Sequence, residues 1–254
     1  MKFYFTFDPE THDYWPVYDA IKKYYPVGLR PNDSLYYTYE GRKLLGDILV
    51  EQVHDPARFK EFTDFSEKAG AAMGCEIIGW TFGQEPSLAF EVILERIVQK
   101  PVEYVRKLYF AKSVIGDFYT IYGLETTTVW KEDGELPRQY RSDNVITVSP
   151  AAEFQDPFLQ LKGLVNEHFP GHKQVPFYIL RMYLHGLYTP FDELNEATVF
   201  HALFSQHFDA KHAHRALGDD TYAKNEWWKE GVTAADIARA ERQWYSVNPF
   251  PNPE

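Results

Sequence analysis

The spacing of apolar residues changes along this chain, and the changes mark its elements. Phe3, Phe5 and Phe7 alternate with Lys2, Tyr4 and Thr6, the period of a half-buried strand, which Asp8-Pro9 ends. Pro16 stands at a favourable first helical position. Val17, Tyr18, Ile21, Tyr24 and Tyr25 then share one helical face, and Pro26 and Gly28 stop the helix. Tyr36-Tyr37-Thr38-Tyr39 predicts a strand, while Leu44 to Val53 fits a helix or a strand. Asp55-Pro56 reads as an N-cap followed by the first residue of a helix. Phe59, Phe62, Phe65 and Ala69 lie along it, and Gly70 is its expected end.

The period then shortens. Residues 75–82, 87–98, 102–114, 118–130 and 139–148 are rich in β-branched and aromatic side chains. Gly83-Gln84-Glu85-Pro86, Gly116-Asp117 and Asp133-Gly134 supply turns between them. This predicts an antiparallel meander, although 87–98 also suits a helix. Helical spacing returns behind Asp156-Pro157, with Phe158, Leu161, Leu164, Val165 and Phe169. Asp192 opens a further helix through Leu194, Val199, Ala202 and Leu203, and Thr233 with Asp236 forms a capping box before Ile237, Ala240 and Trp244. The expected fold is α+β: a mostly antiparallel sheet from the first 150 residues, packed by helices from both ends. The expected organisation is one domain over 1–254, sheet-rich over 1–150 and helix-rich over 151–247, with a proline-rich tail at 248–254.

Composition narrows the class of function. Apolar residues make up 44% of the 254, enough for a real core. Lys and Arg total 26 against 37 Asp and Glu, a formal charge of −11 spread through the chain. Phosphate contacts need a positive face, so neither nucleic acid nor an anionic membrane is an expected partner, whereas a basic protein would be steered in. No apolar stretch approaches the length of a membrane span. The N-terminal stretch turns polar too soon for a secretory leader. The one cysteine, Cys75, sits among strand-like residues and reads as a small hydrophobe. A cytoplasmic location is the expectation.

Candidate chemistry is sparse. Asp8, Glu10, His12 and Asp13 gather carboxylates and an imidazole where the first strand ends, a common place for a metal or an acid/base pair. His168 and His172 have the four-residue spacing of a metal pair, but Pro170 and Gly171 put them in a loop. Together these six residues outline a metal-dependent hydrolase. Phe5-Thr6-Phe7-Asp8 also resembles the first motif of polysaccharide deacetylases, whose aspartates act at a divalent metal. The histidine pair comes far later than that family's order, and its Arg-x-Pro-Tyr motif is missing, so the resemblance is set aside. His185, His201, His207, His212 and His214 contain no i,i+3 or i,i+4 pair. Nucleophile elbows, phosphate loops and dinucleotide fingerprints are absent. No catalytic residue or cofactor is expected.

The acidic stretch Lys131-Glu132-Asp133-Gly134-Glu135-Leu136-Pro137 falls between two strands and places carboxylates at a loop tip. Glu132, Asp133 and Glu135 are therefore candidate contacts for a basic partner. The short opening strand, the acidic balance, the lack of catalytic motifs and tyrosine-rich strands such as 113–123 together resemble bacterial immunity proteins. That resemblance implies a cytoplasmic protein that neutralises a cognate toxin by stoichiometric binding, with acidic and aromatic side chains covering the toxin's active site.

Overall fold

Five strands formed by consecutive segments make the centre of the molecule. The computed structural model describes residues 2–5, 11–54, 56–131, 138–190, 195–205, 216–233, 235–236 and 238–239, without the side chains of 53, 56, 58 and 59. The strands are β1 (Glu76–Gly79), β2 (Ser87–Gln99), β3 (Val102–Ser113), β4 (Phe118–Lys131) and β5 (Arg138–Thr147). They run antiparallel in sequence order, as the short turns dictate. The segment 87–98, open to two readings, is strand. Two short parallel additions come from the second half of the chain. β6 (Lys173–Gln174) pairs with the start of β4, beyond the reach of β5, and β7 (Ala216–Leu217) pairs with the end of β5. The fold is α+β, and among the described residues the mostly antiparallel sheet has seven strands.

Period-2 alternation sends the strand side chains to two different cores. Leu88, Phe90, Val92, Leu108, Phe110, Tyr119 and Ile121 face α4 (Pro56–Met73) and α5 (Gln155–His168), which contribute Phe62, Phe65, Ala69, Phe158, Leu161 and Val165. Each fully buried aromatic or aliphatic side chain stabilises by about 1.5–3 kcal/mol. Ala89, Tyr109, Ala111, Tyr122 and Leu124 face the other way. They meet α1 (Trp15–Tyr24), α3 (Glu40–His54) and the segment carrying α6 (Phe177–Leu180) and α7 (Val199–Leu203). Helices from both ends of the chain thus cover the sheet. Gly123 has a packing reason: a Cβ there would lie 2.5 Å from a ring carbon of Phe154.

Several local expectations are corrected. Tyr36-Tyr37-Thr38-Tyr39 is not a strand; Ser34–Thr38 is a short helix, α2. Asp33 caps it by accepting from the Leu35 N–H, and Tyr36 is buried with its hydroxyl donating to the Tyr188 carbonyl. A cap and tertiary burial override the strand propensity of tyrosine. Residues 44–53 are helix, within α3. Gly70 does not end α4. It lets β1 approach, since a Cβ there would lie 2.7 Å from Ile77, and the helix runs to Met73 before Gly74 takes a positive φ of 64°. Asp55, the expected cap, lies outside the described residues. Asp156 does not cap α5, which begins one residue earlier behind Phe154.

Among the described residues, the opening segment is not a regular strand. Tyr4 makes one isolated bridge to Tyr183, and residues 6–10 lie outside the description. Beyond α5 the described second half contains short turns of helix rather than long ones, because Pro170, Pro176 and several glycines interrupt it. Thr233 and Asp236 do form the expected capping box: the Thr233 N–H and hydroxyl donate to the Asp236 carboxylate, and the Asp236 N–H reaches back to Thr233 Oγ1. Asp192, Ile237, Ala240 and Trp244 lie outside the described residues. No helix among the described residues is long and apolar enough to cross a membrane.

Candidate functional site

A cavity of about 480 Å³ opens where α3 and α4 pass the β3–β4 turn. Gln52 of α3 and Ser113 of β3 are its most buried polar lining residues. Gln52 is 2% exposed, and its Nε2 donates to the Ser87 carbonyl at 3.3 Å. The nitrogen must face that carbonyl, so Oε1 is the amide atom left over. It is buried and has no hydrogen-bond partner among the described residues. Leaving such an acceptor unmatched costs about 1–3 kcal/mol.

Lys112 reaches the same cavity from β3. Its Nζ lies 5.3 Å from the centre of the Phe169 ring, and no hydrogen bond or ion pair joins it among the described residues. Burial holds its pKa below the usual ammonium range, against the opposing pull of Glu61 and Asp117. Those two carboxylates sit on exposed positions of the cavity wall. His172 stands beside them, 3.7 Å from Asp117, with its ring against Phe169. Burial and the Lys112 charge push its pKa down, so the ring favours the neutral form.

A buried ion pair lies on the opposite face of the sheet. Lys107 Nζ donates to Glu91 Oε1 at 2.6 Å, and both side chains are almost fully enclosed. The Trp80 ring lies 5.7 Å from the same ammonium. Nearby, the Ser205 hydroxyl donates to the buried Glu85. Desolvation pushes the phenols of Tyr109 and Tyr122 far up, so both stay protonated in this enclosure.

The far end of the sheet differs from both places. The last residues of β2, the first of β3, the last of β4 and the first of β5 continue past the helices and become exposed. Cross-strand partners share a face, and the register runs Ile97 to Tyr104, and Val102 to Val129 to Tyr140. Five apolar side chains thus adjoin one another, with Ile97 and Tyr140 exposed by 42% and 51%. Arg106 borders them and binds Glu95, Glu125 and Glu153. The Tyr104 hydroxyl, partly buried and bonded to Glu125, has its pKa raised to about 12.

The residues singled out from sequence fall in separate surroundings. Asp8, Glu10, Glu132, Asp133 and Glu135 lie outside the described residues. The strands on either side of the acidic stretch are paired up to Lys131 and Arg138. His12 stacks on Trp228 at 4.8 Å and contacts Thr11 through Nδ1. The Asp13 carboxylate accepts from the Trp15 N–H. His168 ends α5 against the rings of Phe65 and Phe169. His185 lies 3.0 Å from Glu196, and His201 is in α7. His207, His212 and His214 are outside the description. No group of three or more His, Cys, Asp or Glu among the described residues is arranged to hold a metal. Cys75 is half-buried, and its thiol faces the Met73 carbonyl.

The sequence reading missed Gln52, Lys112 and the Glu91–Lys107 pair. Glu91 carried a usable signal, a lone charge inside the apolar run Leu88-Ala89-Phe90-Glu91-Val92-Ile93. Comparison with protein-family models, curated proteins and solved structures found no match.

Proposed function

We propose that this chain is a binding protein that neutralises a basic toxin domain by forming a stoichiometric complex with it. The observation that carries the reading is the exposed end of the sheet. Ile97, Val102, Tyr104, Val129 and Tyr140 form an apolar face on a rigid hydrogen-bonded frame. Aromatic side chains presented this way bury much area at small entropic cost, as interface anchors do. Glu132, Asp133 and Glu135 stand in the sequence between Lys131 of β4 and Arg138 of β5, which pair at this end of the sheet, and the chain carries a formal charge of −11. Both favour a cationic partner. The partner's class, a toxin acting in the same compartment, comes from the resemblance to immunity proteins.

The test is a binding titration against a basic toxin domain encoded beside this gene, paired with survival of cells that co-express the two. A one-to-one complex is expected. Tyr104→Ala and Tyr140→Ala should each raise Kd by about tenfold or more. Unchanged affinity in both variants removes this face from the interface, and survival without complex formation overturns the reading.

A further inference from the structure

We propose that the free outer edge of β2 takes up an extended segment of the partner, bearing lysine or arginine, as one more strand of the sheet. The inference rests on the reading above for a basic protein partner, and adds how that partner is held. Pairing of β1 with β2 stops at Glu76 and Ile93, so among the described residues no strand lies outside residues 94–99. Val98 is 60% exposed there, and Arg96 is exposed beside it. A strand edge left open in this way is a template for another chain.

In an antiparallel strand the N–H and C=O of one residue point to the same neighbour, and successive residues alternate. The Pro101 carbonyl accepts from the Trp130 N–H of β4, so Val102, Tyr104 and Arg106 turn the other way, to β2. Their partners there are Gln99, Ile97 and Glu95. Arg96 and Val98, between these, turn their N–H and C=O groups outward. No backbone hydrogen bond meets those groups among the described residues.

Charge selects the occupant. Arg96 is bound to Glu76 and Glu103, and Arg106 to Glu95, Glu125 and Glu153. Five carboxylates thus share two guanidinium groups around this edge. A cationic strand is complementary to that surplus, and an acidic one is repelled. The open stretch of β5 is the opposite case. β7 covers only Ile146 and Thr147, and along the rest Arg138 and Arg141 outnumber Asp143. Ile97 and Tyr104 are cross-strand partners on the exposed apolar face, so an apolar residue placed opposite Ile97 extends that face.

Hydrogen exchange read by NMR on the full chain would use a short capped peptide of alternating valine and lysine as the probe. The same peptide N-methylated throughout, and one with glutamate in place of lysine, are the controls. The probe should bind and slow exchange of the Arg96 and Val98 amides. Those of Ile97 and Gln99 should change little, because β3 already holds them. Both controls should bind about tenfold more weakly or worse. Val98→Pro removes an outward N–H and no bond to β3, so it should fold and lose about tenfold or more in affinity for the probe, while Val98→Thr should keep it. Circular dichroism checks the fold, and if Val98→Pro misfolds the N-methylated peptide decides. No binding at millimolar concentration, free exchange of Arg96 and Val98 in the bound state, or equal binding of the N-methylated peptide overturns the proposal. So does protection of the two amides in the free protein that grows with its concentration, which would give the edge to a second copy. Against the toxin domain, a Val98→Pro complex of wild-type affinity overturns edge pairing and leaves the sheet face standing as the interface. Probe held at the edge with no toxin complex sinks the toxin reading instead, and supports the edge as a site for basic strands.

Discussion

Lys107 and Glu91 form an ion pair 2.6 Å long between β3 and β2, closed off from water. Isolated charges do not survive such burial; each needs the other. Removing one partner, as in Glu91→Leu or Lys107→Met, should destabilise by about 3–5 kcal/mol because the survivor is left uncompensated. The double variant Glu91→Leu with Lys107→Met should lose much less than the sum. Denaturant melts of the four proteins measure the coupling, and additive losses would show that the pair is not mutually dependent.

Phe65 is fully buried and packs on Phe90, Phe110 and Phe169. Phe65→Ala should cost about 3–5 kcal/mol. In a chain of this size that lowers Tm by something on the order of 10 °C. An unchanged thermal melt would mean that α4 does not pack as described.

His172 couples the fold to pH. Its ordinary pKa is 6.5, and burial together with Lys112 lowers it in the folded protein, against Asp117 and Glu61. The unfolded chain therefore binds the proton more readily. Stability from this group is fully present above pH 6.5 and is lost as pH falls through 6.5 toward the lowered folded value. His172→Asn should flatten that part of the profile, read from denaturant midpoints between about pH 5 and pH 8. An unaltered slope would show that His172 titrates normally.

Charge-neutral replacement of Glu132, Asp133 and Glu135 should slow association with the basic partner at low salt. The difference should shrink as salt rises, because exposed charges act through screened fields. Dissociation should change less, and stability should hardly move. Stopped-flow kinetics at two salt concentrations decide it; an unaltered association rate at low salt takes the turn out of the interface.

A strong chelator should leave Tm unchanged if the histidines and the Asp8–Asp13 cluster play no metal-binding part. A fall in Tm would favour the metal-dependent hydrolase that Asp8, Glu10, His12, Asp13, His168 and His172 could build.

The meander was legible in the sequence because strand alternation and turn residues are local. Gly116-Asp117 and the β-branched runs around it placed β3 and β4 within a residue or two. The face of α4 was legible for the same reason, through the spacing of Phe62, Phe65 and Ala69. Tyr36 was misread because its hydroxyl partner, Tyr188, is distant in sequence, and Gly70 because its reason is the approach of Ile77. The cavity had no sequence pattern at all. Gln52, Lys112 and Phe169 come from a helix, a strand and a loop, and only the packing of α3 and α4 over the end of the sheet brings them together. Periodicity reports which side of an element is buried. It carries no information on which other element covers that side, and the chemistry of this protein lies in that second choice.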